Sequence, residues 1–307
     1  MKRRPPITLS ASKYSRRAFT LIELMIVIVI ILILLGLIIP AIGSVRLRAQ
    51  QAQVRAEIGN LEASITAFKA DFGMDPPSGI ILYESGSASW DQRSKGLIRQ
   101  LWPQYNFSLS CDINGDGDTS DTILLNAGEC LVFFLGGVYE KTSDGKFRVY
   151  GFSKNPARPF LNPGHALGDP GYSAGDGLSA TNSGRQGPFF EFDISRFVDT
   201  DGDNAPEYLD SFPSQQVPYV YLSSYGGRGY RSGEYNTILT DIYRLGDPAT
   251  TPPTSDPPYK PKSFQIISPG ADYQLGTGGN YTPGKNLPGN RSVEADNITN
   301  FVSGSLQ

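Results

Sequence analysis

Hydrophobic and polar residues follow one another along this chain in three regimes. Between Leu24 and Ile39 every residue is hydrocarbon except Gly36. Counted from Phe19 to Ile42 the segment offers about 24 residues, where a helix needs ~20 to cross a bilayer. Further on the apolar positions thin to Val54, Ile58, Leu61, Ile65, Phe68 and Phe72. Steps of four and three place these residues on one stripe of a helix, and Arg55, Glu57, Glu62, Lys69 and Asp71 fall off it. The pattern predicts a membrane helix over 19–42 that continues as an amphipathic helix over 43–73, its stripe facing a core. Gly73 and the Pro76-Pro77 pair stop it.

From residue 74 onward the apolar runs are short. Helices are expected at Ser94–Trp102 and at Ala127–Leu135, the second introduced by Asn126 as a cap. Strands are expected at KFRVYGF (Lys146–Phe152), PFFEFDI (Pro188–Ile194), VPYVYLS (Val217–Ser223) and SFQIISPG (Ser263–Gly270). The stretches NPGHALGDPGYSAGDGLSATNSGRQG and DPATTPPTSDPPYKPK read as Gly-, Ser- or Pro-rich loops. No internal repeat is visible. The fold class implied is α+β: a long amino-terminal transmembrane and amphipathic helix packed on an antiparallel β-sheet head that spans 74–307, with a long insertion in its middle.

Charge orients this arrangement. Residues 1–18 carry Lys2, Arg3, Arg4, Lys13, Arg16 and Arg17 and no acid, a flank that stays on the cytoplasmic side of a membrane. The head is then on the far side. A secretory signal has a shorter apolar core followed by a small-residue cleavage site, whereas here the basic segment and Ala18 precede the apolar run. Glu23 stands near the start of that run, although an acid at the centre of a span costs about 2.5–3.5 kcal/mol. At interfacial depth the positive end of the helix dipole favours it by ~0.3–1 kcal/mol. A cut between Ala18 and Phe19 would give it a stronger partner, an α-amino group that a staggered neighbouring helix presents better than its own does.

These residues, RRAFTLIELMIVIVIILILLGLIIP, resemble the leader and anchor of type IV pilins and type II secretion pseudopilins. In that superfamily a membrane peptidase cuts before a Phe, methylates the new amino terminus and leaves a Glu as fifth residue of the mature chain. Phe19, Thr20, Leu21, Ile22 and Glu23 match position for position, and Pro40 falls where the family has its helix-bending proline. Residues 1–18 then read as a leader peptide, with Ala18 where the family usually has Gly. The closing part of the chain is similar to the major pseudopilin of type II secretion through YVYLSSYGG, FQIISPGADYQLGTGG and EADNITNF. Tyr273 stands where that family often has Gly, and Tyr281–Val293 reads as an insertion.

Composition narrows the function further. The net charge of -3 and pI near 5.3 give no basic face for nucleic acid. With 34 Gly and 23 Pro the chain is rich in turns, but 16 Tyr and 16 Phe supply bulk for a core. Cys111 and Cys130 either bridge, closing a loop of about 20 residues worth about 3 kcal/mol, or stay as two buried thiols. The outward topology favours the bridge.

Two segments have the alternating oxygen spacing that hard cations require. DINGDGDTSDT places Asp112, Asn114, Asp116 and Asp118 at every second position, but its twelfth position is Ile123, so the bidentate acid is missing. DTDGDNAPEYLD places Asp199, Asp201, Asp203, Glu207 and Asp210 at positions one, three, five, nine and twelve. Both are read as structural Ca2+ loops, with polar turns as the competing reading. By resemblance to the major pseudopilin, Asp272 and Asp296 form a third candidate in the carboxyl-terminal loop.

His165 is the one histidine and lies in a Gly/Pro-rich loop, which leaves no histidine triad and no multi-histidine zinc site. No Walker sequence is present. The resemblance therefore implies a non-enzymatic, inner-membrane, single-pass subunit with a periplasmic head. Prepilin peptidase would process it, and it would assemble into a helical filament with a secretion ATPase, a platform protein and a secretin as partners. A type IV or competence pilin, and an anchored calcium-dependent binding module that never polymerises, are the alternatives.

Overall fold

The computed structural model describes residues 19–163, 184–234, 239–250 and 256–306, apart from the side chains of Ile38, Pro40 and Ala41. The chain divides into two compact units, Met1–Arg48 and Ala49–Gln307. Helix α1 (Leu21–Phe72) is 52 residues long. Within the first unit the described large apolar side chains of α1 from Leu21 to Leu47 are exposed, and its most apolar 18 residues are 0% buried in protein. That segment is long and apolar enough to span a bilayer, and the helix runs through Pro40 without a break.

In the second unit the spacing read from the sequence becomes a packed face. Val54, Ile58, Leu61, Ile65 and Phe68 are all buried. Phe68 meets Phe134 and Phe189 edge-on at ring distances of 5.8 and 5.4 Å, and Phe72 meets Trp102 at 5.1 Å. Edge-to-face pairs of this kind add about 0.5–1.5 kcal/mol each beyond the area they bury. The helix stops at Phe72, where Gly73 takes a positive φ of 77° and its N–H closes the last turn on the Lys69 carbonyl at 2.8 Å.

The head begins with β1 (Ile80–Tyr83), α2 (Gln92–Leu101), β2 (Thr122–Leu125) and α3 (Ala127–Gly136), with β1 and β2 antiparallel. Asp91 caps α2 through the N–H groups of Arg93 and Ser94, and both helices lie within two residues of the expected bounds. All ten residues of α3 are buried, as a helix apolar all round must be. Three antiparallel pairs follow: β3 (Tyr139–Lys141) with β4 (Phe147–Val149), β5 (Phe152–Ser153) with β6 (Arg185–Gln186), and β7 (Phe197–Val198) with β8 (Glu207–Tyr208). The last part holds β9 (Val220–Ser223), β10 (Tyr243–Leu245), β11 (Phe264–Ser268), β12 (Gly279–Tyr281) and β13 (Ile298–Thr299). Strands β13, β11 and β9 form an antiparallel sheet in that order, whereas β10 and β12 pair in parallel. A parallel pair needs a crossover rather than a hairpin, and the chain that contains β11 provides it.

Two expected strands come out differently. Lys146–Phe152 is split into β4 and β5 at Gly151, which takes φ 71° and pairs with Gly137. A Cβ on Gly137 would lie 2.2 Å from the Gly151 carbonyl carbon, so the two backbones cross where only glycine fits. Pro188–Ile194 is not a strand. Pro188 has no N–H for a ladder, the Phe189 N–H goes to the Leu135 carbonyl at 2.7 Å, and Phe190, Phe192, Phe197 and Tyr208 gather into an aromatic cluster.

The anticipated bridge between Cys111 and Cys130 is not formed. Both are buried free thiols, each occupied separately. Cys130 is within α3 and its thiol donates to the Leu125 carbonyl at 3.5 Å. The Cys111 backbone N–H binds the Glu84 carbonyl at 3.0 Å, and burial pushes its thiol up to about 12.

Candidate functional sites

The first site is the amino-terminal turn of α1. Ala18 and the leader lie outside the described residues, and Phe19 is exposed. The Thr20 backbone N–H and hydroxyl each donate to Glu23 Oε2 at 2.8 Å, and the Thr20 hydroxyl in turn accepts from the Glu23 N–H at 3.2 Å. This reciprocal pattern is a capping box, satisfying donors that the start of a helix leaves open. The expectation for Glu23 considered the dipole and a neighbouring chain and missed this local partner, although Thr20-x-x-Glu23 ahead of an apolar run is its sequence signal.

The second site is built where β1 and β2 end. Their register pairs Tyr83 with Thr122, and one step beyond it the Glu84 N–H binds the Asp121 carbonyl at 3.1 Å. Glu84 is fully buried. Its Oε1 accepts the N–H of Ile113 at 2.6 Å and that of Asn114 at 3.4 Å, while its Oε2 has no hydrogen-bond partner. The loop of Asp112 to Asp121 wraps around this carboxylate. Buried Asp112 accepts from the N–H groups of Gly115 and Gly117 at 2.6 and 2.9 Å. Asn114 donates to Asp116 and Asp121 at 3.2 and 2.9 Å, and Asp118 accepts from the Ser120 N–H and hydroxyl. Glu84, Asp118 and Asp121 each bring an oxygen within 4.8 Å of the others. Burial, with Asp112 and Asp121 adding repulsion, pushes the Glu84 carboxyl up to about 8.

A third grouping lies at the start of α3. Glu129 completes a capping box with Asn126, its Oε2 accepting the Asn126 N–H at 2.6 Å. Its Oε1 is buried without a partner. Glu129, Asp201 and Asp203 converge within 4.8 Å of one another. Burial first, then the charges of Asp203, Asp201 and Glu207, push Glu129 up to about 9. The expected loop residues divide here. Asp199 turns to Lys141 Nζ at 3.0 Å, and Glu207 accepts from the N–H and hydroxyl of Thr200. Asp210 is buried on Ser268, Gln215 and the Phe212 N–H at 2.6, 3.0 and 2.9 Å. Sequence spacing named Asp201 and Asp203 but missed Glu129, Glu84 and Asp121; the two glutamates arrive from other elements, which no local spacing reveals.

In the carboxyl-terminal loop, Asp296 Oδ2 accepts the N–H groups of Ala271 and Asp272 at 2.6 and 3.0 Å. The two acids are therefore neighbours, and burial raises both. Tyr273 takes φ 63°, the conformation that favours glycine, and its hydroxyl binds the Pro213 carbonyl at 2.8 Å.

Comparison with known proteins bears on the amino terminus. The prokaryotic N-terminal methylation motif matches residues 13–39, covering Ala18, Phe19 and Glu23. None of the curated proteins matches the chain, nor does any solved structure. The matched residues give the chain the prepilin-type amino terminus of type IV pilin-like subunits, which prepilin peptidase processes. Together with the apolar amino-terminal segment of α1, which is 0% buried in protein over its most apolar 18 residues, the motif is that of a membrane-anchored, single-pass chain.

Proposed function

We propose that this chain is a structural subunit of a type II secretion pseudopilus. In this reading prepilin peptidase cuts between Ala18 and Phe19, the apolar part of α1 holds the subunit in the inner membrane, and the head stands in the periplasm. Subunits leave the bilayer when their helices pack into a filament, driven by a secretion ATPase through a platform protein toward a secretin. The role is mechanical and not catalytic. The observation that carries the reading is the prepilin-type amino terminus with Glu23 in the first turn of an otherwise unbroken apolar helix. The closing residues Tyr219–Gly227, Phe264–Gly279 and Glu294–Phe301 add the resemblance to the major pseudopilin.

Two measurements test it. Mass spectrometry of the membrane-extracted chain should find an amino terminus at methylated Phe19; an intact chain from Met1 rejects filament assembly and points to an anchored binding module. Deletion of the gene should abolish release of secreted enzymes from the cell. Normal secretion together with loss of a long surface fibre assigns the chain to a type IV or competence pilus instead.

A further inference from the structure

Two buried glutamates of the head are neutralised by an arginine, and a third, Glu207, is bonded by Thr200. Glu234 is paired with Arg93 and bonded by Ser78 and Tyr225. Glu294 is paired with Arg291 at 2.7 Å and bonded by Tyr243. Two others are not. Glu84 and Glu129 form no ion pair among the described residues, each keeps one oxygen buried and unbonded, and the charges that act most strongly on them are acids. A carboxylate removed from water without a counter-charge is among the costlier features a core can contain, so each glutamate either keeps its proton or takes a cation from outside the chain.

The geometry around both says which kind. Glu84 meets Asp118 and Asp121, and Glu129 meets Asp201 and Asp203, each set with its oxygens within 4.8 Å of one another. Ca2+ holds oxygens at about 2.3–2.6 Å, so ligands on opposite sides of one ion stand about 4.6–5.2 Å apart. Only oxygen donors are offered, which excludes a thiophilic metal. At the first set a loop that starts with the every-second-residue acids of a calcium loop lacks the acid at its twelfth position, because Ile123 points into the core as a residue of β2. The strand pairing of β1 with β2 delivers Glu84 beside Asp121 in its stead. At the second set the capping box of α3 fixes Glu129 by one oxygen and leaves the other buried without a partner, in a carboxylate that comes within 4.8 Å of Asp201 and Asp203.

We infer that the head binds two divalent cations of the calcium class, one between Glu84, Asp118 and Asp121 and the other between Glu129, Asp201 and Asp203. Each ion ties a long acidic loop to a core element, β1 in one case and α3 in the other. Neither seat is the carboxyl-terminal pair Asp272 and Asp296. This inference does not depend on the filament reading, since it concerns ion uptake by a single subunit.

The test is calorimetric titration of Ca2+ alone into the full chain in detergent micelles after EGTA treatment, with thermal unfolding run in parallel. Ion affinities of extracellular modules are about 10⁻⁴–10⁻³ M, which sets the concentration range. Glu84→Gln and Glu129→Gln keep the volume and remove the charge. Each should take up one equivalent fewer than the wild type, and the double variant two fewer, with the calcium-induced rise in Tm reduced in step. Asp118→Asn and Asp201→Asn, at exposed positions, should repeat the two losses if the buried substitutions impair folding. Unchanged uptake in Glu84→Gln and Asp118→Asn overturns the first seat, and unchanged uptake in Glu129→Gln and Asp201→Asn overturns the second. No uptake by the wild type at about 10 mM, well above that range, overturns both. A chain that takes up both ions yet forms no filament rejects the proposed function and leaves this inference standing.

Discussion

Glu57 shows how far a single side chain departs from its apparent place in a helical pattern. It falls off the apolar stripe of α1, which suggests a solvated face, yet its carboxylate receives Arg196 through both Nη atoms and the Tyr219 hydroxyl at 2.7 Å. Arg196 also lies over the Tyr208 ring at 4.4 Å. The pair is 22% and 11% exposed, so water screens it only in part. Removing one partner strands the other charge, and Glu57→Ala should lower head stability by about 2 kcal/mol, as for hydrogen bonds to charged groups. Glu57→Gln with Arg196→Met closes a double-mutant cycle in urea denaturation. Coupling above about 1 kcal/mol supports the clamp, and additivity within ~0.5 kcal/mol refutes it.

At the scale of elements, α3 is the pivot of the head, since its wholly buried body packs against strands while its first turn carries Asn126 and Glu129. The Asn126 side chain accepts from the Gly128 N–H at 3.1 Å. Asn126→Ala should therefore cost about 1 kcal/mol in denaturant unfolding. The Asn126 N–H that holds Glu129 is retained, so calcium uptake at that seat should be unchanged. Both helices of the head and the stripe of α1 were readable because their determinants are local: a cap, a period, a stop. The strands β9 and β11 were readable as buried apolar runs. What the pattern could not show depends on distant residues. Gly151 breaks an expected strand because Gly137 crosses it, and after Gly187 Phe189 packs on Phe68 and Phe72 while Phe190 and Phe192 pack on Tyr208 instead of pairing as a ladder. The same holds for the acid groupings, where the loop acids announce themselves and their buried partners Glu84 and Glu129 belong to a strand end and a helix cap. The two cysteines were misjudged for a related reason: compartment and loop length favour a bridge, but each thiol is enclosed by its own surroundings.

For the whole molecule the decisive question is what Glu23 does when subunits meet. In the single chain its carboxylate is already satisfied by Thr20, so assembly would exchange an intrahelical partner for the amino terminus of a neighbour. The two roles make different demands. A cap alone is worth about 1 kcal/mol and depends on both partners, so Thr20→Val and Glu23→Val should then impair filaments equally. A charge that meets a neighbour's amine in lipid depends on Glu23 alone, because an unpaired ion there costs several kcal/mol. The expected outcome is that Glu23→Val abolishes filaments and Glu23→Gln reduces them severalfold, while Thr20→Val keeps at least half the wild-type yield. Filaments are to be counted by electron microscopy of sheared material, and only for chains whose amino terminus is confirmed at Phe19 by mass spectrometry, since both positions lie close to the cleavage site. Equal losses in the Thr20 and Glu23 variants reduce the glutamate to a helix cap. Filaments at full yield in Glu23→Val remove it from assembly altogether.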